Sequence, residues 1–171
     1  MKDDTGCTCG GPGMTRGRRK TRAVRYGDVG VGGTHRVSIQ SMSTFPASER
    51  DGALAQIKAL AAAGCEIVRV AVRDAVDADS LQWICGESPI PVVADIHFDH
   101  RLAIASIRSG AAGIRINPGN IGSPDRVRAV VDAAGGAGIP VRIGGNSGSL
   151  ERALREKYAA DPAGALAERA L

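Results

Sequence analysis

Short apolar runs alternate along the chain with longer segments in which apolar residues recur at helical spacing. The runs are rich in valine and isoleucine and predict five buried strands, at Val37–Ser41, Glu66–Val72, Pro91–Ile96, Gly113–Ile116 and Pro140–Ile143. The segments between them predict four helices, at Asp51–Ala63, Asp77–Cys85, His100–Ser109 and Pro124–Ala134. This regular alternation of strand and helix is typical of parallel βαβ units.

Turn-forming residues mark the ends of the predicted helices. A glycine lies at or near each helix end, and glycine commonly terminates helices because it tolerates a left-handed backbone; these are Gly64, Gly86, Gly110 and Gly135. Ser123 and Pro124 supply a preferred cap and first-turn residue for the last helix. Upstream, the segment from Thr21 to Gly33 is amphipathic and rich in glycine, which predicts a small hairpin.

Two arrangements of parallel βαβ units compete, an open doubly wound sheet and a barrel. The dinucleotide-binding open sheet has a G-x-G-x-x-G turn between a strand and a helix, and no predicted strand here leads into one. We therefore predict an α/β fold, an incomplete (β/α)₈ barrel of the TIM type with about five βα units. Residues 21–171 form this partial barrel, and residues 1–20 form a disordered, basic, glycine-rich tail.

Composition and charge restrict the possible partners. The chain has 171 residues and a formal charge of +4, with much of the positive charge in the segment Arg16–Arg22. Aromatic residues are only 3% of the chain, too few for base stacking, so we interpret that segment as a solvated arm and expect no nucleic-acid partner. No apolar run approaches the roughly 20 residues that span a bilayer, and no secretory signal is evident. We expect no membrane association and a cytoplasmic location.

The four cysteines do not form a recognisable framework. Cys65 and Cys85 fall in segments that are predicted to be core strand and helix, where cysteine acts as a small apolar residue. Cys7 and Cys9 form a C-x-C in the tail, a spacing that common metal sites do not use. We predict no metal site in this chain.

Polar residues recur at the carboxyl ends of four predicted strands, and residues two apart on a strand share a face. One face of each strand carries, in chain order, Arg69; Asp95 and His97; Arg115 and Asn117; and Arg142, Gly144 and Asn146. Three arginines among apolar neighbours are costly unless anions meet them, and Asp95 is the one evident acid on this face. The excess of positive charge predicts a phosphorylated ligand, which guanidinium groups suit, at the end of the barrel where TIM barrels bind ligands.

A metal is the alternative interpretation of one part of this cluster. Asp95, His97, Asp99 and His100 lie close together in sequence, and D-x-H at a strand end can begin a metal site. However, Asp99 is predicted to cap the helix that His100 begins, so only Asp95 and His97 converge. We therefore favour a hydrogen-bonding or acid–base pair for the substrate.

Five segments carry a resemblance to a known family. They are Q-S-M (Gln40–Met42), G-C-E-I-V-R-V-A-V, P-V-V-A-D-I-H-F-D, R-I-N-P-G-N-I-G and I-G-G-N-S-G-S-L-E. From about Thr21 to about Tyr158 the chain resembles the 4-hydroxy-3-methylbut-2-enyl diphosphate synthases of the methylerythritol phosphate route to isoprenoids. The resemblance implies a TIM barrel that binds 2-C-methyl-D-erythritol 2,4-cyclodiphosphate, opens its ring reductively and releases water.

The same resemblance implies roles for the polar residues. Arg69, Arg115 and Arg142 are similar in position to ligands of the diphosphate, joined by His97. Catalytic or orienting roles toward the substrate's hydroxyl groups and the arginines are implied for Asp95, His97, Asn117 and Asn146. In the family, a [4Fe–4S] cluster delivers two electrons from ferredoxin or flavodoxin, and a homodimer is expected of the full-length enzyme.

The chain also departs from the family's pattern. The turn Ser43–Ser48 reads S-T-F-P-A-S in place of a threonine- and asparagine-rich sequence, and Arg73, His100 and Gly145 replace the usual proline, tyrosine and valine. The family's later strands, its phosphate-binding lysine and its cluster-binding domain have no counterpart here. Cys7, Cys9, Cys65 and Cys85 do not match the cluster's ligands.

These departures lead to an interpretation as the substrate-binding portion of such a synthase, with two open sheet edges that are expected to leave the isolated chain poorly ordered. Two alternatives stay open at this point. One is a non-catalytic half barrel that binds phosphorylated ligands, and the other is a different TIM-barrel enzyme, such as a pterin-binding methyltransferase.

Overall fold

A computed structural model describes residues 20–145, 150 and 152–170 of the chain. Residues 1–19 of the predicted tail, with Cys7 and Cys9, and the site residue Asn146 therefore lie outside the described residues. The strands are β1 Val24–Tyr26, β2 Val29–Val31, β3 Gln40–Met42, β4 Ile67–Val72, β5 Val92–Ile96, β6 Gly113–Ile116 and β7 Val141–Ile143. The helices are α1 Arg50–Ala62, α2 Ala75–Glu87, α3 His100–Arg108, α4 Pro118–Ile121, α5 Pro124–Ala137, α6 Arg152–Lys157 and α7 Pro162–Ala170.

The main sheet has five parallel strands in the order β3-β4-β5-β6-β7, so each strand lies beside its predecessor in the chain. A doubly wound sheet reverses its strand order partway along, whereas a barrel adds every strand on the same side. The strict sequential order, with helices between the strands, confirms the predicted α/β fold and its incomplete TIM-type barrel.

The outer face of the sheet packs against the helices and forms the main core. On β4, alternate residues Val68, Val70 and Val72 are buried in this core together with Ile57 of α1 and Leu81 of α2. Burying one such side chain stabilises the fold by about 1.5–3 kcal/mol. The apolar outer face accordingly anchors the helices. The side chains on the opposite, inner face of the same strands do not belong to this core.

The hairpin of β1 and β2 packs on the inner face at the amino-terminal end of the strands. The two strands pair antiparallel, as predicted, and Tyr26 joins Ile67 of β4 and Val93 of β5 in a second apolar cluster. Gly113 leaves room for the tyrosine ring, since a Cβ there would lie 2.5 Å from its Cε1 atom. The hairpin thus forms an apolar floor beneath the polar carboxyl end of the sheet.

Several predicted boundaries were wrong. The first strand of the sheet begins at Gln40 rather than Val37, and Val37 and Ile39 are exposed. Helix α2 continues past Gly86, and α5 continues past Gly135 to a left-handed residue, Gly138. A glycine within a helix costs only about 1 kcal/mol, which the packing of its neighbours can exceed, so a glycine alone does not end a helix.

Three helices were missed. The short helix α4 follows β6 directly, and α6 and α7 lie near the end of the chain, where no element was assigned. The other predicted strands and helices are present with ends shifted by a few residues. Gly64 and Gly110, which have positive φ angles, follow α1 and α3 closely, as predicted.

Candidate substrate-binding site

The candidate site lies on the inner face, near the carboxyl ends of β4 to β7. Strand register places Asp95 beside Arg115, and Arg115 beside Arg142, so three adjacent strands present these side chains at one level. Arg69 of β4 lies beside Val93, two residues before Asp95, and belongs to the same face. The alternation read from the sequence therefore brings these four side chains to one region.

Asp95 links two of the arginines. Its carboxylate is almost fully buried, and Oδ1 accepts a hydrogen bond of 3.0 Å from Nη1 of Arg115. Nε of Arg69 lies 3.8 Å from Oδ2, and Nη2 of Arg69 contacts the Met42 sulfur at 3.1 Å. The Arg69 and Arg115 side chains keep 24% and 19% of their surface exposed, so part of each remains accessible. Asp95 thus hydrogen-bonds Arg115, makes a longer ionic contact with Arg69 and encloses neither guanidinium group.

Arg142 has a neutral partner. Its Nη1 donates a hydrogen bond to Oε1 of Gln40, although β7 and β3 are the two outermost strands of the sheet. The bond therefore reaches across the concave face. Within the described part of the chain, the three arginines contact one carboxylate, that of Asp95, which leaves two positive charges without a carboxylate to balance them.

Asn117 and His97 occupy different surroundings at the carboxyl ends of β6 and β5. Asn117 is buried at the start of α4, where its carbonyl accepts from the backbone N–H groups of Asn120 and Ile121. His97 is exposed, contacts the Phe98 ring with centroids 6.1 Å apart, and lines a cavity of about 270 Å³ on the outer side of the rim. The contacts described for His97 do not join it to the three arginines, so its role stays a prediction.

Asp99 caps α3 as predicted. Its carboxylate accepts from the backbone N–H of Arg101 at 2.8 Å, and its side chain pairs with the Arg101 guanidinium. The side-chain and then the backbone hydrogen bonds from Arg101 lower the pKa of Asp99 to about 2. Over residues 20–145, 150 and 152–170, no group of three or more histidine, cysteine, aspartate or glutamate residues is arranged to hold a metal ion.

The two described cysteines do not fit an iron–sulfur cluster. The buried Cys65 thiol donates to the carbonyl oxygen of Ile67 at 3.1 Å, and burial raises the pKa of the Cys85 thiol to about 12. Cluster ligands are thiolates that converge on one site, and among the described residues no three possible ligands converge in this way. As expected from the sequence, both behave as apolar core residues.

Sequence reasoning missed four residues that support the site or its rim. Gln40 and Met42 are two residues apart on β3 and share a face, where Gln40 contacts Arg142 and Met42 contacts Arg69. The i, i+2 spacing of Q-S-M could have predicted that both side chains lie on the inner face. Beyond β4, Nε of Arg73 lies 2.8 Å from the buried carboxylate of Asp77. That carboxylate also accepts from the backbone N–H of Ser48, which ties the loop after β3 to α2.

The strands of the parallel sheet follow one another in chain order, and arginines lie on the inner face near their carboxyl ends. These two features define a TIM-type barrel domain with a polar site at the carboxyl end of its strands. The model of one family, the GcpE TIM-barrel domain, matches residues 21–171. The chain belongs to that family.

Curated relatives agree with this assignment. The chain is 49% identical over 163 residues to a Corynebacterium jeikeium protein named 4-hydroxy-3-methylbut-2-en-1-yl diphosphate synthase (flavodoxin), covering 95% of this chain and 42% of the relative. A protein of the same name from Aquifex aeolicus is 51% identical over 154 residues, covering 90% of this chain and 43% of its own length. The chain thus spans less than half the length of these relatives.

Solved structures of other proteins share the fold. The dihydropteroate synthases of Xanthomonas albilineans and Vibrio fischeri match with TM-scores of 0.51 and 0.52 and identities of 16% and 13%. The matches cover 87% and 88% of this chain, and 64% and 63% of those structures. At such identity the likeness shows the barrel alone, so the family match, and not this likeness, decides against the pterin-binding alternative.

Proposed function

We propose that this chain is the substrate-binding portion of a 4-hydroxy-3-methylbut-2-en-1-yl diphosphate synthase and that it binds 2-C-methyl-D-erythritol 2,4-cyclodiphosphate. The observation that carries the proposal is the set of three inner-face arginines, of which Arg69 and Arg115 share the buried carboxylate of Asp95 and Arg142 contacts the neutral Gln40. A cyclic diphosphate carries two negative charges near neutral pH, which matches the two positive charges that the carboxylates of the described residues leave unbalanced.

The physical case rests on the cost of exposing or burying charge. Guanidinium groups that are partly buried lose hydration, and an anion with several oxygen acceptors restores their hydrogen bonds. Arg115 is held by a hydrogen bond to Asp95 and Arg69 by a longer contact with the same carboxylate, so little side-chain entropy is lost when phosphate oxygens bind. The same preorganised donors favour a diphosphate over a neutral sugar or a single carboxylate.

Each residue has a part in this proposal. Arg69, Arg115 and Arg142 bind the diphosphate, Asp95 orients Arg69 and Arg115, and Gln40 orients Arg142. Asn117 contributes hydrogen bonds to the substrate's hydroxyl groups at the end of β6. His97 and Asn146 have the same kind of role, which rests on the family resemblance.

The redox chemistry belongs to other parts of the protein in this proposal. Ring opening with release of one water requires two electrons, and a [4Fe–4S] cluster supplies them in the family. Cys65 and Cys85 do not fit that cluster, so its ligands lie outside the described residues. Because the names of the relatives specify flavodoxin, we propose flavodoxin as the electron donor.

Calorimetric titration of the cyclodiphosphate into the chain combined with the remaining part of the Corynebacterium jeikeium relative tests the proposal. Arg115→Ala removes the guanidinium that pairs with Asp95 and is expected to weaken binding by about 2–4 kcal/mol, or roughly 30- to 900-fold in Kd. Arg128→Ala, an exposed arginine on α5, is the matched control and should change Kd less than about twofold. Equal affinity of the wild type and Arg115→Ala would refute the diphosphate site.

A second experiment separates an enzyme portion from a binding module. The chain is combined with the remaining part of the Corynebacterium jeikeium relative, outside the matched region, and ring opening is measured with reduced flavodoxin. Turnover that Arg115→Ala reduces and Arg128→Ala retains supports the synthase. Tight cyclodiphosphate binding without turnover in the combined protein favours the non-catalytic module.

A further inference from the structure

Gly144 lies directly beyond β7, next to the Arg115 guanidinium. It is two residues after Arg142 and therefore lies on the same face, and its N–H donates to the carbonyl oxygen of Ile116 at 2.8 Å. Its φ angle is not positive, so an alanine could adopt the same backbone conformation. The reason for glycine at this position is accordingly not a turn.

The space beside Gly144 is filled by Arg115. A Cβ atom built on Gly144 would lie 2.3 Å from Nε, 2.4 Å from Nη2 and 2.6 Å from Cζ of Arg115, far inside van der Waals contact. The guanidinium therefore lies against bare backbone on one side while its Nη1 donates to Asp95 at 3.0 Å on the other. Backbone and carboxylate together determine where the group lies.

We propose that Gly144 is a positioning residue for substrate binding, because its missing side chain lets the Arg115 guanidinium reach Asp95 and present its remaining N–H donors to the diphosphate. The inference deepens the proposed function and rests on it. Any side chain at residue 144 displaces the guanidinium from the position in which its Nη1 donates to Asp95. Asp95 would then keep only the longer, 3.8 Å contact with Arg69.

The expected effect is on binding and not on folding. The atoms that a Cβ would displace belong to the far end of a flexible side chain, and the backbone bond to Ile116 is unaffected. The neighbouring Gly145 offers a matched control, since the one atom of the described residues that a Cβ there would meet is Leu166 Cδ2, at an ordinary 3.7 Å. Gly144→Ala and Gly145→Ala add the same single methyl group to adjacent residues.

The experiment uses the chain combined with the remaining part of the Corynebacterium jeikeium relative, with ¹⁵N-arginine in this chain only. The Arg115 Nε–H signal is assigned by its loss in Arg115→Lys. We expect Gly144→Ala to shift this signal and to raise the Kd for the cyclodiphosphate about tenfold or more, while Gly145→Ala changes neither. In an Arg115→Ala background, Gly144→Ala should change Kd by less than about twofold, because its effect acts through Arg115.

Each outcome decides one of the two proposals. An unchanged Nε–H signal in Gly144→Ala, or a further large loss of affinity in the Arg115→Ala background, overturns the positioning role. If the wild type does not bind the cyclodiphosphate, the proposed function fails. The Nε–H signal then still tests the packing of Arg115 against Gly144 on its own.

Discussion

Replacing Asp77 with alanine tests how the loops at the carboxyl end of the sheet are held. The carboxylate is fully buried and accepts from the backbone N–H groups of Ser48 at 2.9 Å and Arg73 at 3.0 Å, as well as from Nε of Arg73 at 2.8 Å. Alanine leaves two backbone donors without this acceptor. The loss spreads over two loops, because Ser48 follows β3 and Arg73 follows β4.

The expected loss in free energy of unfolding follows from these hydrogen bonds. A hydrogen bond to a charged acceptor contributes about 1.5–3 kcal/mol, and part of each lost bond is regained where water reaches the donor. The Arg73 side chain is 56% exposed and can rehydrate, so the two backbone donors dominate the cost. We expect Asp77→Ala to lower the free energy of unfolding by about 2–4 kcal/mol, a large part of the roughly 5–15 kcal/mol that a domain possesses.

Trp83 provides the assay. It is the single tryptophan of the chain and lies on α2, the helix that contains Asp77. With 5-fluorotryptophan incorporated in this chain alone, its ¹⁹F signal reports urea unfolding when the remaining part of a relative is present. Asp79→Ala, an exposed aspartate in the same helix, is the control. If Asp77→Ala and Asp79→Ala differ by less than about 0.5 kcal/mol, the carboxylate does not hold these loops as described.

The pH dependence supplies a second check. Burial raises the pKa of Asp77, but the hydrogen bonds from Arg73 and Ser48 outweigh it and lower the pKa from 3.8 to about 2. A carboxyl group with a lowered pKa in the folded state stabilises the fold above its unfolded value, and this contribution is lost as pH falls through the folded value. The difference between the wild type and Asp77→Ala should therefore be constant above about pH 4 and shrink toward pH 2.

Two further predictions concern the floor and the edges of the sheet. Gly113→Ala places a methyl group against the Tyr26 ring and should destabilise the fold by about 1–3 kcal/mol in urea unfolding. The same change should cost less in a Tyr26→Ala background, where the Pro140 carbonyl oxygen at 3.3 Å is still a close neighbour of the added Cβ, and equal costs in both would contradict the contact with the ring. Because β3 and β7 are the outermost strands of the described sheet, the chain should gain dispersed NMR signals when the remaining part of a relative is added. A sharp, cooperative melt of the chain by itself would contradict this expectation.

Much of the fold was accessible from the sequence because its signals are local. Valine-rich runs separated by amphipathic segments predicted five parallel strands, and the period-two alternation placed Arg69, Asp95, Arg115 and Arg142 on one face. These inferences need only the geometry of a single strand. Helix ends were less accessible, since Gly86 and Gly135 lie inside helices that tertiary packing extends.

The contacts of the site were decided by the tertiary structure. Arg115 and Asp95 are 20 residues apart, and Arg142 and Gln40 are 102 apart, so their meeting depends on strand register and on the curvature of the whole sheet. The sequence around Gly144 does not indicate that the guanidinium of Arg115 packs against this glycine. The sequence alone determined which residues face inward, because alternation is a property of one strand. Which of them touch was left to the tertiary structure, because distance across a curved sheet is a property of all strands together.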